Sequence, residues 1–228
     1  MHSGSTRKQP RIPAVDLKVV FHVKRSEEAL ASAARSVGVP LVDDQASSLL
    51  EFETLLRDRA VDLGMVAQSD SARIRERHIL DSLRAAAVTL DSDLDALDIG
   101  TGAGLPGIPV AIARPALTVR LVEPRRTRVA FLELVLERAR IENAMILSAT
   151  IESVGVAVDL CFARAFAPLE QAWAAARPRL RSGGRLVYFA GAGFERPDRP
   201  EGCSSIAVVP PPRGSRIESF GPLVIMSR

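Results

Sequence analysis

Cysteine, tryptophan and tyrosine are scarce: the 228 residues hold two cysteines, one tryptophan and one tyrosine. Cys161 and Cys203 fit no metal-ligand spacing, and Cys161 lies in an apolar run where a thiol serves as a small buried hydrophobe, so neither a metal site nor a disulfide is expected. No run approaches the ~18 apolar residues that span a bilayer, and the opening residues lack the apolar core of a signal peptide. A soluble, cytoplasmic protein with no membrane partner is the expectation. Lysine is missing after Lys24, so every later cation is arginine, although the net charge is only +3. Arginine's rigid fork suits phosphate oxygens and points to RNA; a genome-wide arginine preference would look the same. Two clusters stand out, Arg73, Arg75 and Arg77, then Arg177, Arg179, Arg181 and Arg185, each either a phosphate track or a solvated face. With Trp173 and Tyr188 alone in their classes, base stacking falls to Phe166, Phe189 or an arginine plane.

What is present is a glycine-rich turn at residues 97–109. After an apolar run come Asp98, Gly100, Gly102, Gly104, Leu105 and Gly107. Glycine lets a strand turn sharply and brings bare backbone against a ligand before a helix begins. This marks a nucleotide-type cofactor pocket without naming the cofactor, because Gly102-x-Gly104-x-x-Gly107 also satisfies the dinucleotide fingerprint.

Residues 1–20 carry Pro10 and Pro13 and no apolar period, which reads as a flexible extension. Over 21–92, apolar recurrence at three and four positions predicts helices at about 26–37, 43–56 and 71–90, with Asp43 and Ser71 as N-caps. From 93 to 228, strand and helix patterns alternate. Strands are expected at 94–99, 117–122, 144–149, 158–163 and 185–190, and helices at 106–113, 126–140 and 169–180. The second of these helices should bury Val129, Leu132, Leu136 and Ala139. Strands at 205–209 and 223–226 have no room for a helix between them and should form an antiparallel hairpin. The fold class is therefore α/β: a doubly wound sheet of five parallel strands closed by that hairpin, seven in all, preceded by a helical subdomain. That sheet resembles the class I S-adenosylmethionine methyltransferases, and a dinucleotide dehydrogenase would more often add a second βαβ half.

Three motifs in register, Arg77-His78-Ile79-Leu80-Asp81-Ser82-Leu83, the glycine turn from Asp98 to Pro109, and Ala163-Arg164-Ala165-Phe166, together resemble the RsmG/GidB family, the 16S ribosomal RNA guanine-N7 methyltransferases. The resemblance runs from about Arg77 to Tyr188. It implies S-adenosylmethionine as donor and small-subunit ribosomal RNA, or a ribosomal particle containing it, as acceptor. Carried over by position, Asp98, Gly100, Gly102, Gly104 and Leu105 would hold the donor, with Gly100 and Leu105 lining its methionine side. Glu123 would hold the ribose hydroxyls, Ile151 and Glu152 the adenine, and Arg164 would touch both the donor region and RNA. The alternative for Glu123 is to cap a helix or pair with Arg125 or Arg126.

His78 and Asp81 suggest an acid–base pair, yet guanine N7 presents a lone pair and carries no proton, so methyl transfer needs no general base. They are expected as hydrogen-bonding residues that pack the N-terminal helix over the cofactor mouth, or else as substrate contacts. The chain departs from the family at Phe189-Ala190-Gly191, where many members carry Lys-Gly. It departs again at 59–66, where many carry a Trp-Asn segment. A nicotinamide-dependent oxidoreductase and a non-catalytic RNA-binding or assembly protein are the competing readings, and a monomer is expected.

Overall fold

The computed structural model of the protein describes residues 17–196 and 198–228. A central sheet is built from β1 (Asp95–Ile99), β2 (Thr118–Val122), β3 (Ala144–Leu147), β4 (Val158–Arg164), β5 (Leu180–Phe189), β6 (Ser205–Val209) and β7 (Leu223–Ser227), in the order β3-β2-β1-β4-β5-β7-β6. Strands β1 to β5 are parallel, and β7 runs antiparallel between β5 and β6. The sheet of five parallel strands and a terminal hairpin is therefore present. Because β1 pairs with β2 on one side and β4 on the other, the connections wind away in opposite directions there and leave a crevice over the strands' C-terminal ends.

β1 reads Asp-Ala-Leu-Asp-Ile, and four of its five residues are buried, as a strand covered on both faces requires. One face is covered by α4 (Gly107–Ala113) and α5 (Arg126–Arg138), the other by α6 (Leu169–Ala176), which carries Trp173 and Ala172 into the core. α5 is rotated from its expected face: Phe131, Leu132, Val135 and Ala139 are the buried residues, while Val129 and Leu136 are only half-buried. The N-terminal helices α1 (Leu17–Arg35), α2 (Asp43–Leu55) and α3 (Asp81–Ala87) join the α4/α5 side. Leu30, Leu49, Phe52 and Leu83 share one apolar cluster there with Ile108, Leu132 and Phe162.

Several local expectations need correction. Residues 1–16 of the supposed extension lie outside the described residues, and 17–20 are already the first turn of α1. Asp43 does not cap α2. Val42 is the extended N-cap residue, and its N–H donates to the Gln45 side chain at 3.0 Å. Ser71 caps nothing, because the segment expected as one helix over 71–90 is a 3₁₀ turn (Gln68–Arg73), a π-helical turn (Arg75–Leu80) and then α3. The helix at 169–180 stops at Ala176 and tightens into a 3₁₀ turn over Arg177–Arg179. β5 begins at Leu180, earlier than expected, and passes through Gly183 at φ +76° with a register shift against β4. Cys161 and Cys203 are buried and free. Among the described residues, no helix is long and apolar enough to cross a membrane.

Candidate active site at the crevice of β1 and β4

Asp98, next to last in β1, is wholly buried and staples the glycine turn. Its Oδ2 accepts from Thr101 Oγ1 at 2.5 Å and from the Gly107 backbone N–H at 2.7 Å. Gly107 must be glycine, since a Cβ there would lie 2.7 Å from Asp98 Oδ2 and overlap Leu121. The same close approach seats α4 on the sheet. The other Asp98 oxygen, Oδ1, has no hydrogen-bond partner, and burial pushes the carboxyl up to about 6. Asp98 itself has no exposed surface and does not border the cavity described next; it shapes the turn that does.

Gly102 has φ +61°, and a Cβ there would meet nothing closer than the Arg128 guanidinium at 3.8 Å and the Gly100 carbonyl at 3.9 Å. Its bare backbone faces open space. That space is a cavity of about 230 Å³ lined by Met65, His78, Gly100, Thr101, Gly102, Ala103, Leu105, Arg128, Arg164 and Ala165. Larger hollows of about 590 Å³ lie beside α1 and α2 and beside α2 and α5, but none of the candidate site residues borders either.

Arg164 ends β4 and reaches under the N-terminal segment. It donates to the Arg77 carbonyl at 2.5 Å, to Ser82 Oγ at 3.2 Å and to His78 Nδ1 at 3.3 Å, lies 3.5 Å from Asp81 Oδ2, and stacks over Phe189 at 5.7 Å. Arginine stays protonated, so His78 Nδ1 must be the acceptor in that contact. The ring proton therefore sits on Nε2, which lies 3.4 Å from Asp70 Oδ2 without hydrogen-bond alignment. Burial, with Arg164 adding to it, lowers His78 to about 4, so the ring is neutral through the physiological range. Asp81 also accepts from Arg84 at 2.9 Å. Arg84 is itself buried and donates to the Gly221 carbonyl at 2.9 Å and the Val209 carbonyl at 3.3 Å. One chain of contacts thus links β4, the start of α3 and the terminal hairpin.

Glu123 follows β2 and is buried. Its Oε2 accepts from the Gly102 N–H at 3.2 Å and from Arg128 at 3.3 Å, and its Oε1 accepts from the Arg125 N–H at 2.9 Å. Its ion-pair partner is Arg128, not the Arg125 or Arg126 side chain. Ile151 is buried and Glu152 exposed, in a 3₁₀ turn after β3 that does not border the cavity. The carboxyl of Glu152 is held low by its own backbone N–H and by Thr150. Gly104 packs against Ile108 and Leu132 instead of the opening. Sequence reasoning missed Thr101, Arg128, Met65 and Arg84. Arg128 had a signal, standing five residues past Glu123 on the helix that follows β2; Arg84 had only its i,i+3 spacing from Asp81, and its carbonyl partners 125 and 137 residues away left none. Ala190, where many family members have lysine, donates its backbone N–H to the Pro222 carbonyl.

The arginine cluster around the start of β5 lies away from the cavity, near the strands' N-terminal ends. Arg181 bridges Asp95 and Asp159 at 2.9 and 2.7 Å, Arg185 pairs with Asp93 at 2.5 Å, and Arg179 bonds the carbonyls of Glu152, Val154 and Ala175. These side chains tie strand beginnings together. In the other cluster, Arg75 pairs with Glu53 and Arg77 with Asp70, while Arg77 lies over Phe220 at 5.7 Å.

A family model described as rRNA small subunit methyltransferase G, GidB, matches residues 45–196. The Ribosomal RNA small subunit methyltransferase G of Corynebacterium diphtheriae is 33% identical over 178 residues, which cover 75% of this chain and 76% of that one. Its counterpart in Clavibacter sepedonicus is 35% identical over 148 residues, covering 64% and 69%. Two solved structures share the fold. A SAM dependent methyltransferase from Aquifex aeolicus aligns at TM-score 0.52 and 13% identity, covering 68% of this chain and 93% of that one. M. jannaschii TYW2 in complex with AdoMet aligns at TM-score 0.51 and 15% identity, covering 66% and 74%.

Proposed function

This chain belongs to the GidB family, rRNA small subunit methyltransferase G, and is an S-adenosylmethionine-dependent methyltransferase of small-subunit ribosomal RNA; we propose that its acceptor atom is N7 of a guanine and that alignment, not proton removal, carries the rate. The observation that supports this most is the lining of the cavity. Among the described residues His78 is its one neutral titratable base, and the Nδ1 lone pair of His78 already accepts from Arg164. An acceptor that keeps a proton on its reacting atom would find no base there. N7 has none to lose.

S-adenosylmethionine, when bound, supplies a methyl group on a sulfonium sulfur. The residues present suit it: the bare Gly102 backbone and Gly100 and Leu105 along the cavity wall, with Asp98 holding the turn from behind. Glu123 would accept from the ribose. A carboxylate has about four acceptor sites, and the Gly102, Arg125 and Arg128 donors already use three. One ribose hydroxyl is therefore accommodated directly, and the second requires Arg128 to move aside. Ile151 and Glu152 would flank the adenine. Arg164, Asp81 and His78 would fix the 77–83 segment over the opening, excluding water and orienting the base.

The same proposal places the helical subdomain at 17–92, from the start of α1, and the donor-binding core at 93–228, with a cytoplasmic monomer acting on rRNA or on a ribosomal particle. The oxidoreductase reading gives way to the family match and the terminal hairpin.

Single-turnover methylation of small ribosomal subunits at saturating donor, followed across pH, tests the assignment. His78→Gln keeps substantial activity and leaves the shape of the profile unchanged, because the wild-type ring is neutral down to about pH 4. Arg164→Ala, checked for folding by thermal melting, loses most turnover. An acidic limb near the ~6.5 of a free imidazole that vanishes in His78→Gln, together with a collapse in rate, would show proton chemistry at His78.

A further inference from the structure

Near the N-terminal ends of the parallel strands Arg114, Arg120, Arg181 and Arg185 each face an aspartate, while Arg140 and Arg177 do not. At the cavity end, Arg73, Arg125, Arg126 and Arg213 are exposed, and among the described residues their side chains have no acidic or hydrogen-bonding partner. Arg125 and Arg126 stand at the start of α5, whose first turn has no acidic residue. That is the end where a helix dipole disfavours cations, so intramolecular electrostatics does not account for them.

Topology puts these four on both flanks of the cavity. Arg125 and Arg126 leave β2, on one side of the β1/β4 crevice. Arg213 lies in the loop from β6 to β7, on the other side. Arg73 is in the 3₁₀ turn that precedes the Arg77–His78 segment, and Arg216 of the hairpin loop reaches Glu76 of that segment at 3.0 Å. From β2 to β7 there are four strand spacings of about 4.8 Å, roughly 19 Å, a span of several nucleotides.

We propose that the RNA strand on either side of the target base crosses the C-terminal edge of the sheet, its phosphates received by Arg125 and Arg126 on one flank of the cavity and by Arg73 and Arg213 on the other. This rests on the rRNA substrate argued above and adds the path by which the strand reaches the site. The cluster at Arg177–Arg185 takes no part in it.

Filter binding of protein-free small-subunit rRNA over a range of salt concentrations tests the path. The proteins compared are the wild type, Arg125→Gln/Arg126→Gln, Arg73→Gln/Arg213→Gln, and Arg140→Gln/Arg177→Gln as a control with the same loss of charge at helix ends that return to the opposite edge. Each flanking pair should flatten the slope of log affinity against log salt by about 1.4, from ~0.7 per lost phosphate contact. The control should leave the slope unchanged, lysine at the flanking positions should restore it, and S-adenosylhomocysteine affinity should stay at the wild-type value throughout. An unchanged slope in either flanking pair, or equal flattening in the control, overturns the path; indifference to both pairs would point to a ribosomal protein as their partner. Methylation of small ribosomal subunits by the wild type is measured in parallel. Its absence with responsive slopes removes the N7 reading and leaves the docking surface standing, and the converse result does the reverse.

Discussion

Asp98 places one carboxylate oxygen in the service of the fold and leaves the other bare. Oδ2 holds Thr101 and Gly107, while Oδ1 is buried without a partner. Desolvation therefore raises the carboxyl from 3.8 to about 6. A raised folded-state pKa means that the donor-free fold binds this proton more tightly than the unfolded chain does. The associated stability is fully present below about pH 4 and is lost as pH rises through about 6, at ~1.4 kcal/mol per pKa unit, or about 3 kcal/mol in all. Asn at this position keeps an acceptor and carries no charge. Urea denaturation between pH 4 and 7.5 should show Asp98→Asn gaining on the wild type as pH rises through this window, whereas a pH-independent difference would mean that the ionised carboxylate is not penalised where it sits.

At the scale of elements, the 68–87 segment is held by bonds that run across the molecule. The wider π turn over Arg75–Leu80 coincides with the Arg77 carbonyl accepting from Arg164. Apolar periodicity made the segment legible as helix but could not show the interruption, because the partner lies 87 residues along the chain. The same holds for the early start of β5, where Gly183 and Gly184 look like a turn and prove to be a twisted strand entrance. By contrast, β6 and β7 were readable from length alone, as no helix fits between them. Arg84 is the element-level joint that sequence hid. Replacing it with methionine leaves Asp81 and the Gly221 and Val209 carbonyls without this donor, so Arg84→Met should lower unfolding free energy by about 3–5 kcal/mol in urea titrations. A loss below about 1 kcal/mol would mean that the hairpin is held by its strand pairing alone.

Across the whole molecule, sheet order and the glycine turn were legible because they follow from local chemistry: apolar strands, glycines and connection lengths. Which arginines face solvent was not. Arg177, Arg179, Arg181 and Arg185 form the denser cluster in sequence, yet Arg179, Arg181 and Arg185 are consumed by carbonyls and by Asp93, Asp95 and Asp159. The unpartnered arginines around the cavity are scattered over 140 positions, from Arg73 to Arg213. Charge pattern along a chain reports composition, and only folding decides which charges meet their opposites.

On the proposed function, a donor bound at the Gly102 turn methylates guanine N7 in small-subunit rRNA. The most direct test is mass-spectrometric mapping of small ribosomal subunits lacking the modification, after incubation with S-adenosylmethionine and either the wild-type protein or Gly102→Val. Valine is strained at φ +61° and projects into the cavity, so that variant should fold and fail to bind the donor. The expected result is 7-methylguanosine at one position with the wild type and none with Gly102→Val. A methyl group on another atom or base, or full modification by a folded Gly102→Val, would contradict it.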